Sequence, residues 1–320
     1  IKSYERLRQF IYETSAITSL VEPELHAIFD IAYVSICAFS LRNIPSREKG
    51  EFVKLSDFYG ADLQPQKFLE AIQNPACGWR YQAAAQDFEK IPGAPLAYWV
   101  SERVRLVYDN IKLNDIAFSD GQVLTGDNDR FIRFFWEVEK FKIQDTKCWV
   151  LHPKGGEFRK WYGNVFNIVS WSQESVNFYK SNPISRIPSE HLWFKKGFCW
   201  TAVTSSLPSF RIINEYEIYN KASYGMFCYE DKYLSSLLGL LNSKLVEMFL
   251  KISNPTLNLN VQEVQNIPLK EDALLSYKNS IFQSSVACSK TDWDAFETSW
   301  DFDQHPLVRL GAGQPLSEAY

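Results

Sequence analysis

A chain of 320 residues is long enough for two domains, and its 46% apolar and 22% charged content is that of an ordinary globular protein. No apolar run approaches a membrane span, and IKSYERLRQF lacks the basic-then-apolar layout of a secretory signal, so a cytoplasmic protein with no membrane partner is expected. Net charge is −4, from 34 Lys/Arg against 38 Asp/Glu, which alone would argue against a polyanion binder.

That charge is segregated along the chain. Between Lys140 and Arg211 eleven Lys/Arg stand against four Asp/Glu, a local +7, whereas Ala287–Tyr320 holds two against six. The basic stretch is also crowded with Trp, Tyr and Phe in a chain that is 15% aromatic. A basic, aromatic middle suits gripping a polyanion on one face, unless the fold scatters those cations.

In chain order, residues 3–14 place Tyr4, Leu7, Phe10 and Ile11 on one helical face. AITSLVE (16–22) and YVSICAFSLR (33–42) read as strands, the second so continuously apolar that burial on both faces is expected. Residues 44–110 read as a connector with short helices, one around Gln66–Gln73 and another over Leu96–Asn110, with Trp99, Val100, Val104 and Val107 inward. From Asp115 to about Phe227 short strands broken by turns follow: GQVLTGDNDRF, FIRFFWEV, KCWVLHP. Asp231 is placed to cap a helix striped by Leu234, Leu237, Leu238, Leu241, Leu245, Met248 and Phe249, which Asn254-Pro255 stops. TLNLNV then reads as a strand, and a helix spans about 271–289 before the aromatic-acidic DWDAFETSWDFD. The expected fold class is α+β. It comprises a remnant of an α/β sheet at 1–43, the connector at 44–110, a β-rich domain at 111–270 and a helical segment at 271–320.

KGGEFRKWYGN (154–164) carries the most chemistry. Two glycines permit close backbone approach, and Arg159, Lys160, Trp161 and Tyr162 offer charge for phosphates and rings for bases. The same stretch also reads as a tight turn leading into an amphipathic strand. Other chemistry is absent: neither a G-x-G-x-x-G nor a phosphate-binding loop occurs. The six cysteines never form C-x-x-C, the four histidines are dispersed, and the Cys148/His152 spacing lacks a second ligand pair. No catalytic, cofactor-binding or metal residue is nominated.

The order of YERLRQFIYE, ITSLVE, VSICAFSLRN, PGAPLAYWVS, LTGDNDRF (124–131), KGGEFRKWYGN, FKKGFCWTAVTSS (194–206), LLGLLNSKLVEMFLKISNPTLNLNVQEVQNIPL (237–269) and DWDAFETSWDF resembles the C-terminal half of BREX-type, PglX-like adenine-specific DNA methyltransferases. It is also similar to type II restriction-modification enzymes that fuse methyltransferase to specificity domain. GQVLTGDN (121–128) and the Asn-rich stretch ending in Ile-Pro-Leu look like the opening and closing marks of target-recognition domains.

The resemblance implies that 1–43 ends a Rossmann-like, S-adenosylmethionine-dependent catalytic domain, and that 111–270 recognises double-stranded DNA for adenine-N6 methylation in antiviral defence. The cofactor loop and the Asn/Asp-Pro-Pro-Tyr/Phe motif would precede Ile1, so methyl transfer and its cofactor would lie outside this chain. Partners would be duplex DNA, the catalytic domain and other phage-defence subunits. Phosphate contacts are expected from Lys154, Arg159, Lys160, Lys195 and Lys196, with Gly126, Gly155 and Gly156 backbone amides behind them. Arg186, Thr201, Thr204, Ser205 and Arg211 would reach base edges, and Thr125 and Tyr162 are also expected to contact DNA. Asn128 either contacts DNA or fixes its own turn, and Trp161 either stacks on bases or joins the core. The alternatives are a protein-interaction scaffold docking through the leucine stripe and acidic C-terminus, or a fragment of a restriction endonuclease-methyltransferase.

Overall fold

The computed structural model describes residues 4–25, 27–28, 36–44, 47–144, 146–254, 257–276 and 279–310. The chain is α+β and divides into two compact units, residues 1–110 with 252–254 and residues 111–251 with 255–320.

The first unit is built on a four-stranded sheet of order β2-β1-β3-β4, from β1 (Ala16–Glu22), β2 (Ala38–Arg42), β3 (Gly50–Lys54) and β4 (Arg80–Ala83). β1 and β3 run parallel and the other pairs antiparallel. The segment expected to be a connector therefore supplies two strands, along with α2 (Leu63–Gln73). β1 has the bounds its sequence suggested. β2 differs: its described residues are all exposed, because it is an edge strand hydrogen-bonded only to β1. Tyr33–Ser35 of the expected strand lie outside the described residues.

Before β1, α1 (Glu5–Thr14) also turns differently from expectation. Tyr4, Leu7 and Phe10 are exposed, while Tyr12 is buried with Leu20, Phe52, Phe88 and Tyr98. Two anchors set that rotation: Arg8 donates to the carbonyls of Gly93 and Ala94, and the Tyr12 hydroxyl donates to Ala94 O at 3.2 Å. The helix expected over Leu96–Asn110 shrinks to α3 (Glu102–Val107), whose buried residue is Arg105, 3.6 Å from Asp87.

Two antiparallel sheets organise the second unit. One has the order β10-β9-β11-β5, from β5 (Ala117–Phe118), β9 (Gly197–Thr201), β10 (Phe210–Ile213) and β11 (Ser223–Cys228). The other, of order β6-β8-β7, combines β6 (Ile132–Phe134), β7 (Trp149–Leu151) and β8 (Asn167–Ser170). Short helices α4 (Asn128–Phe131), α5 (Lys140–Gln144) and α6 (Gln173–Ser181) punctuate this region. GQVLTGDNDRF is thus no strand: Val123 and Leu124 make isolated bridges, and the Asp127 carboxylate caps α4 by accepting from Arg130 N at 3.0 Å.

The leucine stripe forms two helices, α7 (Leu234–Leu241) and α8 (Lys244–Ser253), broken at Asn242. Asp231 opens a 3-10 turn and makes no side-chain cap. Leu234, Leu237, Leu238 and Leu241 are buried, whereas Leu245 and Met248 are exposed. TLNLNV is not a strand either. Its described part bridges Val203 through Asn258, sends Leu259 N to Ala202 O at 2.9 Å, and passes into α9 (Val261–Gln265). The expected C-terminal helix is likewise two, α10 (Glu271–Leu275) and α11 (Asn279–Trp293).

Among the described residues no helix is long and apolar enough to cross a membrane, and no group of three or more His, Cys, Asp or Glu could hold a metal ion.

Candidate nucleic-acid interface

The glycine loop lies against the open edge of β10. Trp161 pairs with Arg211, donating N–H to Phe210 O at 2.8 Å and accepting from Ile212 N at 2.9 Å. Holding that register costs backbone strain: Trp161 sits at φ +73 and Asn164 at +62. Gly155, at φ +87, crosses so near the 220–222 turn that an alanine Cβ would stand 2.9 Å from Ala222 O. Gly156, at φ +129, is equally tight against Asn164, whose amide closes the loop by donating to Glu157 O at 2.8 Å.

The turn under the loop is fixed by a buried histidine. His152 Nδ1 faces the Ile218 carbonyl, which can only accept, so the ring donates there and Nε2 accepts from Asn220 Nδ2 at 2.8 Å. Asn220 then donates N–H to Pro153 O at 3.1 Å and accepts from Ala222 N at 2.8 Å. Burial and the nearby Lys154 charge hold the imidazole down to about 4, so it is neutral at pH 7.

Several expected contact residues turn inward. Arg211 is only 1% exposed; its guanidinium donates to Arg159 O, Ser209 Oγ and Thr201 Oγ1 at 3.2–3.4 Å, with no ion-pair carboxylate among the described residues. It braces the loop from beneath and cannot reach a base edge in this conformation. Thr201 in turn donates to Gly156 O at 3.1 Å. Lys160 donates to Asn242 O at 2.7 Å, Arg159 pairs with Asp292 at 2.7 Å while lying over Trp293, and Tyr162 is buried under the Lys290 ammonium. Trp161 is half-buried and meets Phe282 in a T-shaped contact.

A second group is distinct but linked. Thr125, fully buried, donates to Asn128 Oδ1 at 2.8 Å, and its carbonyl accepts from Ser185 Oγ at 2.7 Å beside Gly126. Asn128 thereby fixes the turn. Arg186 is exposed, pairs by backbone with Leu124, and folds its guanidinium onto the carbonyls of Pro183 and Ser185. Val123 joins this group to the loop through Tyr219 O and Lys221 N. Thr204 and exposed Ser205 follow β9, where Thr204 Oγ1 accepts from Ser206 N at 3.0 Å.

Lys195 and Lys196 stand at the other end of β9. Lys195 lies over the Phe118 ring, and Lys196 pairs with Glu215 at 3.1 Å. The cations flanking Gly155 that make no ion pair among the described residues are half-buried Lys154 and exposed Lys221. Lys221 went unnoticed in the sequence because it stands alone among uncharged neighbours in YNKASYG, 67 positions after Lys154. Only the fold brings its turn against Gly155.

Similarity to known proteins extends along this chain. It is 30% identical over 276 residues, 81% of its length, to the adenine-specific methyltransferase PglX of Lacticaseibacillus casei (strain Zhang). It is 26% identical over 320 residues, 96% of its length, to the adenine-specific methyltransferase BrxX of Escherichia coli O9:H4 (strain HS). The chain is related to the PglX and BrxX methyltransferases. It spans about a quarter of their length, 23% and 25% respectively. The crystal structure of the type IIG restriction endonuclease BpuSI aligns with 91% of this chain and 40% of its own at TM-score 0.33 and 12% identity. No family model matches the chain.

Proposed function

We propose that residues 111–270 recognise a duplex DNA target for a PglX/BrxX-like adenine methyltransferase in a defence or restriction-modification system, with S-adenosylmethionine as the parent enzyme's methyl donor. The observation that carries this is the strained glycine loop held over the 220–222 turn, with Lys154 preceding Gly155 and Lys221 preceding Ala222 in that turn, neither in an ion pair among the described residues. A backbone that close-packed is rigid, and two unneutralised ammonium groups at its flanks match successive phosphates better than they match a protein surface. Thr204 and Ser205, which follow β9, are the candidate hydrogen-bonding groups for base edges, while the Thr201 hydroxyl is engaged by Gly156 O and Arg211.

Extruding an adenine costs a few kcal/mol, and contacts of this kind would offset that cost while setting the register. The residues of this chain contribute binding and positioning; no methyl-transfer step is drawn from them. The relation to adenine-specific methyltransferases supports the reading from a separate direction.

Fluorescence anisotropy of labelled duplexes against the purified chain tests it. Binding that survives heparin competition and weakens linearly in log salt is expected. Binding abolished by heparin at every duplex sequence tried would favour incidental charge attraction instead.

A further inference from the structure

A cavity of about 400 Å³ opens in the second unit between β7, Phe194, Glu215 and Tyr216, and the C-terminal segment. Its walls include the rings of Phe194, Tyr216 and Trp300, the carboxylates of Glu215 and Asp301, and Lys147. Lys147 and Phe194 are both non-glycine residues held at positive φ, +51 and +60. Such strain persists only where surrounding structure enforces it, and it gathers at binding sites.

The wall chemistry selects a ligand class. Three flat rings favour a planar heterocycle. Glu215 is already paired with Lys196, and Asp301 shares the Lys290 ammonium with Asp294, so each is engaged but keeps acceptor lone pairs. Lys147 is exposed and makes no ion pair among the described residues. An arginine side chain from a protein partner would find its charge opposed by Lys147 and the carboxylates already engaged. A nucleotide satisfies all three features: exocyclic amine to carboxylate oxygens, base face to rings, phosphate to ammonium.

A line of rings also reaches this wall from the surface. Half-exposed Phe134 and Trp136 stack at 4.7 Å and 4°, Trp136 meets Phe135 at 4.9 Å, and Phe135 meets Trp300 at 5.6 Å.

We propose that this cavity binds one nucleotide unit carrying an amino-bearing base, adenine or cytosine, with its phosphate on Lys147. The proposal goes beyond the duplex reading, because it concerns an unstacked base and holds or fails without it. The nucleotide's source is either a free mononucleotide or an extrahelical residue of a strand.

Titration calorimetry with dAMP, dCMP, dTMP and deoxyadenosine tests the free source. Competition against a 2-aminopurine-labelled single strand tests the other. Expected are tighter binding of dAMP and dCMP than of dTMP, and a loss of about tenfold or more in Trp300→Leu. Lys147→Ala, an exposed change that leaves packing alone, is expected to weaken dAMP but not deoxyadenosine. Binding only of the single strand, with the same dependence on Trp300 and Lys147, supports the strand source. Equal binding of dTMP, no binding of mononucleotide or strand, or binding indifferent to both variants overturns the proposal, as does preferential binding of N-acetylarginine amide. Intact-duplex affinity, measured in the same variants, reports separately on the duplex reading.

Discussion

Asn242 holds both backbone polar groups of Phe210: its Oδ1 accepts from Phe210 N, and its Nδ2 donates to Phe210 O, each at 3.0 Å. Phe210 begins β10, and its carbonyl also receives Trp161 N from the glycine loop. The break between α7 and α8 thus has a purpose. A helix continuing through Asn242 would direct the amide along the helix surface rather than toward the sheet edge, where it meets Phe210 N and shares Phe210 O with Trp161 N.

Asn242→Ala is expected to cost about 2–4 kcal/mol of unfolding free energy, because it leaves a buried donor and a half-satisfied acceptor. Asn242→Asp, which keeps the acceptor and loses the donor, should fall between. Urea denaturation measures both. A loss below about 0.5 kcal/mol for the alanine variant, the range of an ordinary surface change, would sink this account of the helix break.

Two buried titrating groups with opposite signs sit near the loop. His152 is held down to about 4 by burial, from its ordinary 6.5. Its contribution to stability is therefore complete above pH 6.5 and is lost as pH falls toward 4. Glu217 is pushed up to about 7 by burial, which outweighs the hydrogen bonds from Asn214. Its contribution is complete below about pH 4.5 and is lost as pH rises through 7. Between pH 4.5 and 6.5 the slopes, each about 1.4 kcal/mol per pH unit, oppose one another. The wild-type protein should show little dependence on these two groups in that window. Glu217→Gln should expose the histidine slope, stability rising with pH, and His152→Gln the carboxyl slope, stability falling. Urea midpoints at half-unit pH steps check this; variant slopes of the same sign would contradict it.

What the sequence disclosed follows from the range of the forces involved. β1 was legible to the residue because alternation and a flanking turn are local. For Asn128 the sequence left a turn role and a DNA contact as alternatives and did not point to its bond with Thr125. Arg211 was not legible. Its neighbours in sequence made it look like a base reader, and only the loop 52 positions earlier, whose Arg159 carbonyl it meets, puts it inside. The apolar run at 36–42 misled for a similar reason. Hydrophobicity predicts burial, but whether a strand lies at a sheet's centre or edge depends on what pairs beside it. Lys160 shows the limit most plainly, since its ammonium is consumed by Asn242 O, 82 positions away.

Gly155→Ala should be harmful, since Gly155 is buried at the crossing. The new Cβ would press on Ala222 O, and φ +87 disfavours any side chain, together worth about 1–3 kcal/mol. Because the 220–222 turn carries Lys221, displacement there should also weaken duplex binding. Thermal melting and anisotropy on one sample distinguish the effects. A variant that melts and binds like wild type would show that the close crossing does not organise this surface.

Lys154 and Lys221 separate a phosphate-contacting loop from a merely tight one. Each ammonium that neutralises a phosphate releases a counterion, so removing one should reduce the slope of log affinity against log salt by about one. Lys154→Ala and Lys221→Ala are each expected to weaken all duplexes by similar factors, and the double variant to flatten the slope by about two. Lys196→Ala provides the contrast, since that ammonium is already engaged by Glu215 at 3.1 Å and stands at the far end of β9. If Lys196→Ala flattens the slope as much as the loop variants while Lys154→Ala and Lys221→Ala leave it unchanged, the polyanion is held at the opposite end of the sheet. If all three leave it unchanged, the second unit does not hold a phosphate backbone through these residues.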